Sequence, residues 1–166
     1  MILQDILYKV SIRAVKGNTN ITINDLQIDS RKVKAGSCFI AVKGSAADGH
    51  VYIDTAIANG AAAIVCEIMP QHTNENVVYI QTGNSAEAAG FMGHNFYGEP
   101  SLKVKLVGVT GTNGKTTIAT LLWKLFSAMG YTCGLISTVQ NQIGEEVISA
   151  THTTPDAISV NKLMRQ

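Results

Sequence analysis

The chain has 166 residues, 46% of them hydrophobic and only 15% charged, with 13 basic against 12 acidic side chains for a net charge of +1. A charged share this far below the usual level of about 25% excludes intrinsic disorder as the dominant state, and near-neutrality excludes a broad basic footprint for nucleic acid. The length fits one domain, or one complete small domain followed by part of another, and the pattern along the chain favours the second.

Met1 to Val15 interrupts its apolar residues with Gln4, Asp5, Lys9 and Arg13. That leaves neither a signal-peptide core nor a membrane span, so a cytosolic protein is expected. Apolar, largely β-branched runs bounded by Gly, Asn or Asp predict strands at 25–28, 37–42, 62–66 and 77–80. Helices are expected between them. One covers 51–59 and stops at Gly60; another covers 85–96, with Ala89, Met92 and Phe96 on one face. Gly98-Glu-Pro-Ser101 then breaks the pattern and marks a domain boundary.

Beyond it a strand is predicted at 104–109. The clearest helix comes next, at 116–129, where Ile118, Leu121, Leu122, Leu125, Phe126 and Met129 form an apolar stripe closed by Gly130. Trp123 sits beside that stripe and is expected to be partly packed. A strand at 132–136 and a hairpin over 139–150 centred on Gly144 succeed it, and then a helix whose Ile158, Leu163 and Met164 still ask for partners. Alternating strands and helices imply an α/β fold with a largely parallel sheet. Splitting the charge at the boundary gives −2 for residues 1–100 and +3 for the rest. A basic lean suits polyphosphate, although a solvated face accounts for it equally. Cys38, Cys66 and Cys133 are odd in number, dispersed and without a C-x-x-C pair, which predicts reduced, buried thiols rather than disulfides or metal ligands.

The strongest chemical signal is Lys105-Leu-Val-Gly-Val-Thr-Gly-Thr-Asn-Gly-Lys-Thr-Thr117. An apolar run enters a glycine-containing turn and leaves through Lys115 into the best helix of the chain. Gly111 and Gly114 let backbone amides approach phosphate oxygens, and the helix start adds unpaired N–H groups and the positive end of its dipole. Lys115 would serve the β and γ phosphates, and the Thr116 hydroxyl is placed for Mg²⁺. The segment therefore reads as an ATP site. It departs from the general phosphate-loop pattern at Val109, where that pattern has Gly; the alternative is an ordinary strand-turn-helix.

Thr110-Gly-Thr-Asn-Gly-Lys-Thr-Thr117 resembles the ATP loop of the Mur ligase superfamily, the ATP-dependent amide-forming enzymes of peptidoglycan synthesis and their folylpolyglutamate synthetase relatives. Asp29-Ser-Arg31, Gly36-Ser-Cys-Phe-Ile-Ala41, Gly44-Ser-Ala-Ala-Asp-Gly-His50, Ala56 and Gly60-Ala-Ala-Ala-Ile-Val65 resemble the UDP-binding domain of its MurE-type branch, which adds the third residue of the stem peptide. Thr153-Thr-Pro155 agrees with that branch. The resemblance implies that 1–99 is a small α/β UDP-substrate-binding domain and 100–166 the opening of a truncated, parallel-sheet ATP-binding domain.

It further implies that Gly111, Thr112, Asn113, Gly114, Lys115, Thr116 and Thr117 hold ATP, with Lys115 catalytic and Thr116 on Mg²⁺. Ile28, Ser30, Ser45, Ala46 and Ala47 would contact the uridine diphosphate. His152, Thr153 and Thr154 would reach the muramoyl or peptide-proximal part of the substrate; some relatives have Asn where His152 stands. Substrates implied are ATP, UDP-N-acetylmuramoyl-L-alanyl-D-glutamate and an amino acid, meso-diaminopimelate before lysine, with no nucleic acid and no membrane span. The remaining Mg²⁺ ligands and the family's modified lysine have no candidate in this chain, so ligation by the chain alone is not expected.

Three readings of the residues themselves stay open. Gly44 and Gly49 suit a loop that brings amides to a pyrophosphate, while Asp29-Ser30 also reads as a plain turn. Thr153-Thr154-Pro155 also reads as a helix start with Thr as cap. His50, His72 and His94, being single, receive no catalytic role. A sister ligase adding D-alanyl-D-alanine and a non-catalytic nucleotide-binding module are the competing functions.

Overall fold

The apolar runs of the N-terminal part pair into a five-stranded sheet, ordered β1-β5-β4-β3-β2. Its strands are β1 (Ile12–Lys16), β2 (Asp25–Gln27), β3 (Ser37–Ile40), β4 (Ala61–Cys66) and β5 (Val78–Thr82). Strands β2 to β5 run parallel, and β1 joins β5 antiparallel. This computed structural model describes residues 1–44, 47–139, 141–144, 146–148 and 155–166. It divides into two units, Met1–Glu99 and Pro100–Gln166.

A parallel sheet covered on both faces needs continuous apolar strands, and Cys38-Phe39-Ile40 and Ala63-Ile64-Val65-Cys66 are buried throughout. Phe39, Ile64, Cys66 and Tyr79 form one core with Val33 and with Ile53 and Ala56 of α2 (Ile53–Ala58). Each such large side chain contributes about 1.5–3 kcal/mol by leaving water. Strand alternation turns Cys38, Ile40, Ala63, Val65 and Ile80 to the opposite side. The elements left to cover that side are α1 (Leu3–Ile6) and α3 (Ser85–Phe96), which pack on each other and bury Leu3, Ile6, Ala88, Ala89 and Met92. The buried Asn95 amide ties them together, donating to the carbonyls of Ile6 at 2.9 Å and Tyr8 at 2.7 Å.

The expected mixed α/β class with a parallel sheet is thus what forms. Two elements were not legible. Helix α1 has four residues, too few for a period, and β1 is exposed along its whole length and is a strand only because β5 pairs with it. The expected helix at 51–59 is a 3-10 turn, Gly49–Tyr52, running into α2. Burial pushes the Cys38 thiol up to about 12 and Cys66 to about 11, so both stay protonated; Cys133 is half-buried.

The second unit contains α4 (Lys115–Ala128), the strands β6 (Gly134–Ile136), β7 (Asn141–Ile143) and β8 (Glu146–Ile148), and α5 (Ala157–Arg165). The hairpin turns at Gly144, whose φ of 55° is left-handed, and pairs Asn141 with Ile148. Trp123 donates from Nε1 to the Cys133 carbonyl at 3.2 Å. One expectation fails here: residues 104–109 form no strand, and the described sheet of this unit, β6-β7-β8, is the antiparallel one that the expected hairpin builds. An apolar run becomes a parallel strand only where a neighbour takes up its ladder, and among the described residues none does; Leu106 and Val107 are 69% and 67% exposed. Helix α5 is capped not by a threonine but by Asp156, which accepts from the Ile158 and Ser159 amides, each at 2.9 Å.

Candidate functional site

Strands β2 to β5 point their carboxyl ends to one edge, the place where open α/β sheets bind ligands. The segments leaving these strands are therefore gathered there: Ile28 to Ser30 after β2, the 41–49 loop after β3, Glu67 after β4, and Gly83 to Ser85 after β5. Three residues expected to contact a uridine diphosphate, Ile28, Ser30 and Ala47, lie in these segments. Ser45 and Ala46 lie outside the described residues, as do His152, Thr153 and Thr154.

Ile28 is half-buried and Ser30 buried. Asp29 caps a 3-10 turn over Ser30–Lys32, accepting from the Arg31 amide at 3.1 Å and from its guanidinium at 2.9 and 2.8 Å. The Arg31 guanidinium holds the Asp29 carboxyl below its ordinary range. The Ser30 carbonyl accepts from Asn59 Nδ2 at 2.9 Å, which fixes this turn against the end of α2. The turn reading of Asp29-Ser30 is therefore correct as local structure, and it leaves these residues at the edge a ligand would use.

The described stems of the 41–49 segment, 42–44 and 47–49, pair with each other. The Gly44 amide donates to Ala47 O at 3.0 Å, Lys43 and Asp48 bridge, and the Gly49 amide donates to Val42 O at 2.9 Å. A Cβ on Gly49 would stand 2.7 Å from Val42 O, so only glycine fits there. Next to it is a network that sequence reasoning missed. His50 Nδ1 lies 2.6 Å from Asp48 Oδ1, and the Glu67 amide donates to His50 Nε2 at 2.8 Å. Glu67 Oε1 in turn accepts from the Ser85 amide at 3.0 Å and its hydroxyl at 3.1 Å. The Ser85 backbone N–H, with its hydroxyl and the nearby His50 and Lys43, holds the Glu67 carboxyl below the ordinary range. The only sequence signal was local: Asp two residues before His is an Asx turn, whereas the Glu67 partner is seventeen residues away.

The glycine-lysine loop is the second centre. Gly111 and Gly114 have φ of +149° and +78°, and an added Cβ meets nothing closer than 3.7 Å at Gly111 and nothing within 4 Å at Gly114. Backbone conformation, not space, is what demands glycine there. Gly114 is the N-cap of α4, so the loop feeds straight into the helix start, whose first amides lack intrahelical acceptors. Lys115 Nζ donates to Gly111 O at 2.6 Å and Thr112 O at 3.0 Å, which folds the ammonium over the loop. Gly111, Thr112, Asn113 and Thr117 are exposed and Thr116 is half-buried, so the cradle opens to solvent. This donor set fits a polyphosphate. For magnesium, Thr116 provides one hard oxygen, and the described residues hold no cluster of three or more His, Cys, Asp or Glu.

Residues 22–97 match the Mur ligase family, catalytic domain, and residues 109–166 match the Mur ligase middle domain. The chain is 53% identical over 165 residues to the UDP-N-acetylmuramoyl-L-alanyl-D-glutamate--2,6-diaminopimelate ligase of Cytophaga hutchinsonii, covering 99% of this chain and 34% of that protein. It is 41% identical over 164 residues to ligase 1 of the same name from Clostridium acetobutylicum, covering 98% and 34%. A solved structure of a ligase with this name superposes with a TM-score of 0.72 at 27% identity, over 99% of this chain and 33% of that one. The D-alanyl-D-alanyl-adding ligase of Acinetobacter baumannii shares the fold, with a TM-score of 0.52 at 20% identity over 86% of this chain and 28% of that one. The chain spans about one third of the length of the curated relatives it matches. Both matched segments carry the loops just described, and the chain belongs to the Mur ligase family.

Proposed function

We propose that this chain is the N-terminal third of an ATP-dependent ligase that joins 2,6-diaminopimelate to UDP-N-acetylmuramoyl-L-alanyl-D-glutamate. The observation that carries it is the loop at Gly111 to Thr117: left-handed glycines, a lysine folded over the turn, and a helix start directly behind. The similarity to diaminopimelate-adding relatives extends over both units and exceeds that to the D-alanyl-D-alanyl-adding ligase. We assign Met1–Glu99 to the UDP-linked substrate and Pro100–Gln166 to the start of the ATP-binding domain, and we place the reaction in the cytosol, where ATP and nucleotide-linked precursors are found.

In this reading the substrate carboxylate attacks the γ-phosphorus of ATP and ADP leaves. The diaminopimelate amine then attacks the acyl carbon, and inorganic phosphate departs as the amide forms. Gly111 to Thr117 cradle the phosphates through backbone N–H groups, and Lys115 moves from the loop carbonyls to the transferring group. Positioning and charge neutralisation are most of what phosphoryl transfer asks of a protein. Thr116 would hold Mg²⁺, which neutralises phosphate charge when bound. Ile28, Ser30, Ser45, Ala46 and Ala47 hold the uridine diphosphate, and His152, Thr153 and Thr154 the muramoyl-peptide side.

Calorimetry with UDP-N-acetylmuramoyl dipeptide, its tripeptide form, UTP and ATP tests the assignment. Selective binding of the dipeptide form is expected. Preference for the tripeptide form would favour the D-alanyl-D-alanine-adding ligase, and weak indifferent binding a non-catalytic module. In the full-length ligase, Lys115→Ala is expected to lower turnover by about a hundredfold or more; a variant turning over at the normal rate overturns the loop assignment.

A further inference from the structure

We propose that His50 is a positioning residue: its imidazole clamps the paired stems Lys43–Gly44 and Ala47–Gly49 to the end of β4 and so sets the edge that receives the UDP-linked substrate. The inference rests on the assignment of that edge to the UDP-linked substrate, and it adds a residue to which no role had been assigned.

Both ring nitrogens are committed. The Glu67 amide donates to Nε2 at 2.8 Å, so Nε2 carries no proton, and Nδ1 therefore holds the proton it shares with Asp48 Oδ1 at 2.6 Å. A ring engaged at both nitrogens has none left to act as a general base, so its role is mechanical. One end of the strut is the paired stems. Asp48 Oδ1 also accepts the His50 amide at 2.9 Å and the Asp48 main chain forms an antiparallel β-bridge with that of Lys43, so whatever holds His50 holds both stems, Ala47 included. The other end is rigid. The Glu67 carboxylate is pinned by the amide and hydroxyl of the fully buried Ser85, at the start of α3, and the Glu67 carbonyl accepts from Gln81 Nε2 at 3.0 Å. The chain Asp48–His50–Glu67–Ser85 thus runs from the loop after β3, across the end of β4, to the helix after β5. The charged groups around the ring are Asp48, Glu67 and Lys43.

Three variants of the 166-residue chain separate this role from a general packing role. His50→Ala removes both contacts, His50→Asn keeps an amide where Nδ1 lies, and His50→Gln places one where Nε2 lies. His50→Ala and His50→Asn are expected to bind UDP-N-acetylmuramoyl dipeptide about tenfold more weakly than wild type, the loss of one well-placed hydrogen bond. His50→Gln is expected to come back to within about threefold of wild type. ATP binding, which uses the loop in the other unit, stays unchanged in all three, and wild-type amide protection along the β4–β5 ladder certifies that the unit carrying His50 is folded. If His50→Ala does not fold, the Asn and Gln pair carries the comparison.

Amide hydrogen exchange reads the clamp without ligand. The Gly49 and Glu67 amides should exchange faster in the Ala and Asn variants, with the β4–β5 ladder unchanged. Wild-type affinity in His50→Ala, or Asn matching Gln, overturns the inference. If the wild-type chain binds no UDP-linked nucleotide, the reading of the edge fails, and unchanged exchange at Gly49 and Glu67 overturns the clamp separately.

Discussion

Asp29 and Glu67 are both carboxylates pulled below their ordinary range, yet their surroundings differ in what that means for stability. Asp29 pairs with a guanidinium that is 85% exposed, so water screens most of the gain. Glu67 accepts from both the amide and the hydroxyl of the buried Ser85 at a helix start, two charge-assisted hydrogen bonds on the side of the helix dipole that favours an anion. Because the folded-state carboxyl lies below the unfolded one, the stabilisation is present above the ordinary Glu range of about pH 4 and is lost as pH falls through the lowered value. Glu67→Gln is therefore expected to melt earlier than wild type at pH 7, with the gap narrowing in thermal scans as the pH falls below the ordinary Glu range. At Gly114, φ of +78° with open space around the missing Cβ isolates a backbone effect. Gly114→Ala should cost about 1–2 kcal/mol in the loop conformation, read as a roughly tenfold loss of ATP affinity with helix content retained.

Whole elements were readable where their signals are local. Helix α3 was expected over 85–96 and spans Ser85–Phe96, because its apolar period and the Gly98 and Pro100 that end it are local to the segment. Asn84 accepts from the Glu87 amide at 3.0 Å, so Asn84→Ala should lower stability by about 1 kcal/mol in denaturant titrations. Helix α4 was equally plain, and the Gly144 hairpin formed as its turn residue predicts. The 104–109 run is where local signals stop deciding. Its β-branched residues state a preference, but a parallel strand is completed by neighbours, and none pairs with it among the described residues. Strand β1 is the opposite case, an unremarkable segment recruited by the free edge of β5.

For the molecule as a whole, the two units differ in how much of their apolar surface they bury. The first encloses Phe39, Ile64, Tyr79 and Met92 completely, whereas α4 leaves Leu121 60% and Leu125 55% exposed. An apolar stripe of this kind marks a surface that meets something else. Relatives about three times as long carry further polypeptide, which is the occupant we assign to it. Leu121→Lys should change the melting of this chain by no more than about 0.5 kcal/mol, as expected for an exposed position, and destabilise the full-length ligase by about 2 kcal/mol or more. Equal effects in the two contexts would remove that assignment.

By itself the sequence determined the glycine-lysine loop running into α4, the apolar segments that become β2 to β5 and the long helices, since backbone freedom, side-chain period and capping are settled within a few residues of one another. Tertiary structure alone decided the pairing of β1, the lack of a partner for 104–109 among the described residues and the Asp48–His50–Glu67–Ser85 chain. Each depends on groups far apart in the chain. A hydrogen bond from Glu67 to His50 exists only because parallel pairing brings the ends of β3 and β4 to the same edge.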